Sequence, residues 1–431
     1  MNADGMRILA ATLRPRRDSV WLRVGTVFTG REVTPWRDAH FVYDDTGIRY
    51  VGVALPPAAV VRPGQTEPDH TLPGHTLLPG LIDAHTHLFL EGGEQDPAKR
   101  AAYLTLPPDE VHARAAARLA RLVAIGVTAV REAGDRIGVG LALQARWRSD
   151  ERGVMPYVDA PGAAINHQGR YGSFMSRPME EQGSPLRAVV DRVAAGSHRI
   201  KLLATGIINF EKGAVTAKPQ MLADELVEFV AAARAHGQQT MVHCSGNDGV
   251  ANCIAAKVDS IEHGFFVDDE QLAQLRDLDL AWVPTFAPVQ YQVDAAATLG
   301  WSDLVRDNLQ RILDGHAGSL VRAAEMGVRI VAGSDSGSHG VPHGWGFVRE
   351  LELMQRAGLS AGQVLRAATG ASAERLGYRG KFGVLESGAE ARFILTEHRV
   401  AESVAALRQP KIVVCDGAVH ADGDDPTVAG L

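Results

Sequence analysis

The tightest constraint on how this chain folds is an alternation that runs from residue 77 to about residue 388. Short apolar runs are each followed by a helical segment. Helices that cross over between successive strands specify a parallel sheet. Eight strands are expected, at 77–87, 126–131, 157–165, 199–204, 239–243, 259–263, 281–285 and 329–334. Helices are expected between them, for example at 109–124 and 221–236. The latter carries Leu222, Leu226, Phe229 and Val230 on one stripe. Eight such units close into a (β/α)8 TIM barrel of roughly 250 residues. The chain has 431 residues, so some of it lies outside the barrel. Both ends read as β. Runs such as Val20-Trp21-Leu22-Arg23-Val24 and Ala39-His40-Phe41-Val42-Tyr43 precede the barrel. A hairpin with an Asp416-Gly417 turn follows it.

Composition removes several classes of function. Apolar residues make up 45% and charged residues 22%, as in an ordinary globular enzyme. The net charge is −7 with no long run of one sign, so neither a nucleic-acid nor an anionic-membrane footprint is expected. No apolar stretch approaches the length of a membrane span, and no secretory signal is evident. The three cysteines, Cys244, Cys253 and Cys415, lack CxxC spacing and fit a reducing, cytoplasmic setting. A small-molecule substrate is the expected partner. Homo-oligomerisation is left open.

Reactive groups of a TIM barrel sit at the C-terminal ends of its strands. Strand one ends in His85-Thr86-His87, and residues i and i+2 of a strand face the same way. An HxH pair alone is a weak signal. It gains weight because His243, His263 and Asp335 end strands five, six and eight. Imidazoles with a carboxylate suit Zn²⁺ or a similar ion. Lys201 lies inside the apolar strand Ile200-Lys201-Leu202-Leu203, in a chain with only seven lysines. A buried ammonium is costly unless paired or chemically altered. Either a carbamate formed with CO₂ or a partner such as Glu262 would answer that cost. Asp335 is read as metal ligand and proton acceptor, although Asp also favours helix N-caps. His167, after strand three, is a candidate donor to a substrate carbonyl or a hydrogen-bonded structural histidine. His343 is a candidate substrate contact or a plain loop residue.

The segment Thr76-Leu77-Leu78-Pro79-Gly80-Leu81-Ile82-Asp83-Ala84-His85-Thr86-His87 resembles the opening of the amidohydrolase superfamily barrel. Gly126-Val127-Thr128-Ala129-Val130-Arg131 resembles its second strand. Val258-Asp259-Ser260-Ile261-Glu262-His263-Gly264 and Trp282-Val283-Pro284-Thr285 are similar to its imidazolonepropionase-like and Xaa-Pro dipeptidase (prolidase-like) branch. So is Arg349-Glu350-Leu351-Glu352-Leu353-Met354. The resemblance implies a barrel over 79–388 with a small β-sandwich formed by both ends, 1–78 and 389–431. It implies two divalent ions, expected to be zinc. His85, His87 and Asp335 would hold one, His243 and His263 the other, and a carboxylated Lys201 would bridge them.

Two departures from the branch stand out. Where many relatives carry a carbonyl-polarising Tyr, this chain reads Gln220-Met221-Leu222. Met221 then faces the substrate without a hydrogen-bond donor, so that role is either empty or filled by His167. After the barrel, Gly388-Ala389-Glu390-Ala391-Arg392 replaces the usual Gly-x-x-Ala-Asp, which concerns the sandwich rather than the chemistry. The expected reaction is hydrolysis of a C–N bond in a dipeptide, N-acyl amino acid or related amide. Asp335 would serve as general base and then acid. The alternatives are a mononuclear cyclic-amide or imidazolone hydrolase, an aminohydrolase, or a catalytically inactive scaffold.

Overall fold

A computed structural model describes residues 3–150, 153–378 and 381–421. The first strands are β1 (Val20–Val27), β2 (Trp36–Asp44), β3 (Gly47–Gly52) and β4 (His70–Pro79). The barrel strands follow, with β7 and β8 as two halves of the third and β9 as an extra strand beside β8: β5 (Leu81–Thr86), β6 (Val127–Glu132), β7 (Tyr157–Asp159), β8 (Ala164–Asn166), β9 (Ser176–Pro178), β10 (Arg199–Leu203), β11 (Gln239–Cys244), β12 (Ser260–His263), β13 (Ala281–Val283) and β14 (Arg329–Ile330). Then come β15 (Phe393–Thr396), β16 (Ile412–Cys415) and β17 (Ala418–Ala421).

The two chain ends share one seven-stranded sheet in the order β17-β16-β15-β4-β1-β2-β3. Phe393 of β15 and Phe41 of β2 are three places apart in that order. In a flat sheet that is roughly 14 Å, yet their rings lie 5.1 Å apart. The sheet therefore curls over its own core of Val20, Leu22, Phe41, Tyr43, Phe393 and Leu395. This is the sandwich-like body that packs beside the barrel. Residues 422–431, assigned from sequence to the second part of this domain, lie outside the described residues. One element differs from expectation. Helix Ala3–Thr12 precedes β1, within a region read as wholly β. Met6, Leu9, Ala10 and Leu13 are all buried, at the i, i+3, i+4, i+7 spacing of an amphipathic helix.

The barrel strands are parallel throughout. The ring closes between its first and last strands. Ala84 N–H donates to Ala332 O at 3.0 Å, Asp335 N–H to His85 O at 2.7 Å, and His87 N–H to Ser336 O at 2.7 Å. The expected third strand is broken. β7 pairs with β6, β8 pairs with β10, and Ala160-Pro161-Gly162-Ala163 lies between. Pro161 has no N–H to give a ladder, and Gly162 adopts φ +65°, outside any strand. The expected helix at 221–236 forms as Ala223–Ala235, with Leu226, Phe229 and Val230 buried. Leu222 precedes it and is exposed.

Beneath the barrel mouth the core is charged. Arg131 donates from Nη2 to both oxygens of Glu262, at 2.9 and 2.8 Å, and from Nε to Ala84 O at 2.5 Å. Both residues are fully buried. Removing one partner of such a pair strands the other charge. Arg131→Met is expected to cost about 3–5 kcal/mol in chemical denaturation. A loss under 1 kcal/mol would show that water reaches Glu262.

Candidate metal centre

Five of the six expected ligands come from strand ends, and Lys201 comes from mid-strand β10. His85 and His87 leave β5 on the same side, with ring centroids 5.6 Å apart. His243 closes β11 and His263 ends β12, and these rings are 4.6 Å apart. His85 and His263 are separated by 4.9 Å. Asp335 follows the eighth strand, its Oδ1 at 3.3 Å from His87 Nε2 and 3.6 Å from His85 Nε2. Ligand atoms of His85, His263 and Asp335 all lie within 4.8 Å of one another. All six side chains line a single cavity of about 390 Å³.

The backbone is bent to make this possible. His263, Thr285 and Asp335 all have positive φ, at 70°, 48° and 54°. Such conformations are strained for β-branched or bulky residues and concentrate at functional sites. His263 is fixed twice: its Nδ1 lies 2.7 Å from Thr285 Oγ1, and Trp282 Nε1 donates to its carbonyl at 2.9 Å. His85 Nδ1 sits 2.7 Å from Glu262 Oε2. These contacts orient the two rings and leave Nε2 facing the cavity, as hydrogen bonds to the far nitrogen do for metal-bound histidines. Gly333 passes so close that an added Cβ would lie 2.6 Å from His85 Cβ and 2.8 Å from its N. Gly333→Ala is therefore expected to displace His85 and weaken metal binding at least tenfold in a competition titration. Unchanged affinity would contradict that reading.

The electrostatics suit cations. Burial, and then the nearby Lys201 charge, push His85 down to about 4 and His243 down to about 3, so both rings are neutral at pH 7, the form a metal ligand requires. His263 is held well below its usual range for the same reason, together with its histidine neighbours. Burial lowers Lys201 to about 8. For Glu262, burial is outweighed by Arg131 and His85, which hold it at about 2. Glu262 is thus engaged by His85 and Arg131, and no ion pair between it and Lys201 occurs among the described residues. His85 Nε2, His87 Nδ1 and Asp335 Oδ1 are buried without hydrogen-bond partners. Buried polar atoms are seldom left so. An unpartnered imidazole nitrogen and carboxylate oxygen converging on one point fit a divalent ion.

Three other expected site residues lie elsewhere. His167 is held between two acids, Nδ1 at 2.8 Å from Glu180 Oε1 and Nε2 at 3.0 Å from Glu225, outside the cavity lining. Both its nitrogens are taken, so neither is free for a substrate carbonyl. Burial lowers its pKa, but these two carboxylates outweigh that and leave it raised. A raised histidine stabilises the fold fully below its unfolded pKa of about 6.5, and this contribution fades as pH climbs through the folded value. The stability difference between the protein and His167→Gln is expected to be larger at pH 5.5 than at pH 9 in urea melts, with kcat little changed. Met221 is fully buried in the core, not in the cavity. His343 is buried beneath the mouth, with Nε2 at 3.1 Å from His87 O, and it faces a separate cavity with Arg114, Arg118 and Arg121.

The cavity also holds residues that the motif reading passed over. Tyr171 lies beside His243, ring centroids 5.0 Å apart. Its hydroxyl makes no hydrogen bond among the described residues, and burial raises its pKa. Arg100, from the helix Pro97–Tyr103, is a second. Glu132, at the end of β6, is also absent from the motif reading but lies outside the cavity lining, fully buried. Its Oε2 accepts from Gly134 N–H at 2.7 Å, Oε1 is unpartnered, and burial followed by Asp135 raises its pKa. Its position after Arg131 at a strand end was the available signal.

An eight-stranded barrel with a cluster of imidazoles, a carboxylate and a lysine at its C-terminal mouth defines a class, the barrel hydrolases that use divalent metal ions. The family model for the amidohydrolase family matches residues 76–419, and the chain belongs to that family. It is a hydrolase acting on C–N bonds, in the prolidase-like branch. The chain is 26% identical to Aspergillus niger ochratoxinase over 412 residues, covering 88% of this chain and 81% of that protein. It is 26% identical to imidazolonepropionase of Cupriavidus pinatubonensis, covering 89% and 90%. Among solved structures, a Xaa-Pro dipeptidase with bound methionine superposes with TM-score 0.77 at 25% identity, covering 94% of this chain and all of that one. Among the described residues, no helix is long and apolar enough to cross a membrane.

Proposed function

We propose that this protein hydrolyses the amide bond of an N-acyl amino acid, dipeptide or similar amide at a two-ion centre. The carrying observation is that His85, His87, Lys201, His243, His263 and Asp335 line one cavity, with buried ligand atoms left unpartnered. The ochratoxinase and dipeptidase relatives support the substrate class. In this reading His85, His87 and Asp335 would hold one ion, expected to be zinc, and His243 and His263 would hold the other. Lys201 would join these ligands as a carbamate, its neutral amine adding to CO₂ with formation of an N–C bond and release of one proton. Its lowered pKa favours the neutral amine that this addition needs. The ions, when bound, supply the Lewis acidity that makes water nucleophilic near neutral pH and polarises the scissile carbonyl.

The remaining steps belong to the chain. Asp335 takes the proton from the attacking water and delivers it to the leaving nitrogen. Tyr171, rather than His167 or Met221, donates to the carbonyl oxygen, since its phenol is uncommitted in the cavity. Tyr171→Phe is expected to lower kcat by about 10²–10³-fold while the fold stays intact. A loss below threefold would remove Tyr171 from the mechanism. Cys244, Cys253 and Cys415 are all buried.

A second reading, a mononuclear hydrolase of cyclic amides, is favoured by the imidazolonepropionase relative and by the compact His85, His263 and Asp335 cluster. A hydrolysis screen on metal-replete protein tests both. Turnover of N-acyl amino acids or dipeptides supports the first reading. Turnover of lactams or aminated heterocycles alone supports the second or a deaminase.

A further inference from the structure

Arg100 is the one arginine among the described residues that line the reaction cavity. It is placed by two backbone acceptors on different loops. Nη1 donates to Glu91 O at 2.7 Å, after the first barrel strand, and Nη2 donates to Gly337 O at 3.1 Å, after the eighth. A guanidinium has five N–H donors in a rigid fork. Two bonds of this kind leave donors over and fix the plane of the fork. The neighbouring acids are engaged elsewhere: Glu91 with Arg118 at 2.9 Å and Glu94 with Lys99 at 3.6 Å. Arg100 makes no ion pair among the described residues, although burial disfavours its charge. Glu91 and Glu94 favour its charge only from beyond ion-pair distance, so this half-buried guanidinium, held against carbonyls with donors left over, has room for an anion from the cavity.

Its attachment fixes its distance from the chemistry. Gly337 is two residues from Asp335, so their Cα atoms are at most about 7.6 Å apart. That span suits a carboxylate one residue removed from the scissile bond. Much of the cavity wall is apolar: Phe174, Ile207, Ile208, Phe210, Phe265 and Val289 all line it.

We infer that Arg100 is a specificity-determining residue, binding the carboxylate of a substrate whose bulky apolar portion fills the Phe174–Phe210 side of the cavity. This rests on the amide-hydrolase reading above for what happens to the bound molecule, but not for the anion site itself. The test therefore uses binding of probes that cannot be hydrolysed: N-benzylphenylalanine and its neutral counterpart N-benzylphenylalaninol. Affinities are measured by calorimetry on the metal-loaded protein, on Arg100→Met and on Arg100→Lys.

The expected result is a preference for the carboxylate of about tenfold or more in the parent. It should collapse toward unity in Arg100→Met and be partly kept in Arg100→Lys. The alcohol should bind all three proteins within about threefold. Three outcomes overturn the inference: no binding of the carboxylate to the parent, a preference that survives in Arg100→Met (a carboxylate held by the metals), or equal loss of both probes (a loop staple only). If the Arg100-dependent preference is present while every amide in the hydrolysis screen is untouched, the anion site stands and the reaction assigned above falls.

Discussion

Asp335→Asn is expected to lower kcat by about 10²–10⁴-fold, the range for losing a general acid–base group, with the thermal transition nearly unchanged. The substitution keeps the shape of the side chain and removes its ability to take a proton. Burial opposes the Asp335 charge, but the adjacent His87 and His85 imidazoles outweigh it and hold its pKa below the usual range. It is therefore ionised at neutral pH and ready to accept. Its Oδ1 has no hydrogen-bond donor spending that capacity. The backbone of Asp335 is pinned by its own N–H to His85 O at 2.7 Å, so the variant keeps its position. Full activity in Asp335→Asn would remove this residue from proton transfer. A large fall in thermal stability would point instead to a structural role.

Lys201→Met should produce the second large effect, and it should split function from stability. Metal content is expected to fall by about one ion per chain and kcat by at least 10³-fold. Stability of the metal-free protein should hold or rise, because a buried ammonium gives way to an apolar chain of similar length. Loss of the Lys201 charge also removes a cause that depresses His85, His243 and His263. In the parent protein, reloading of metal-free enzyme with zinc should be accelerated by bicarbonate, and in Lys201→Met it should not. Equal reloading with and without bicarbonate would dismiss carboxylation.

Much of this site was readable without coordinates, for a physical reason. A histidine, lysine or aspartate in an apolar strand is anomalous, and period-two geometry with barrel topology says where each one ends up. That is why His85, His87, Lys201, His243, His263 and Asp335 could be gathered from far apart in the chain. His167 was misplaced because strand three was read as continuous. Pro161-Gly162 breaks it, and the acids Glu180 and Glu225 then hold the ring away from the cavity. Tyr171 and Arg100 were illegible because they sit in the irregular connections after strands three and one, Tyr171 on a turn and Arg100 on the short helix Pro97–Tyr103. Loop paths are set by tertiary contacts such as the bond from Arg100 to Gly337 O, not by local periodicity. The curl of the end sheet was hidden likewise, since it depends on strands from opposite ends of the chain meeting at Phe41 and Phe393.

The central claim is that these six side chains hold the metal ions on which hydrolysis depends. Elemental analysis of zinc-reconstituted protein, paired with turnover before and after exhaustive chelation, tests it most directly. The account predicts about two ions per chain, activity lost with the metal and restored with it, and stoichiometry reduced in Lys201→Met. A chain that binds no divalent ion, or one that hydrolyses its substrate undiminished after chelation, would contradict it.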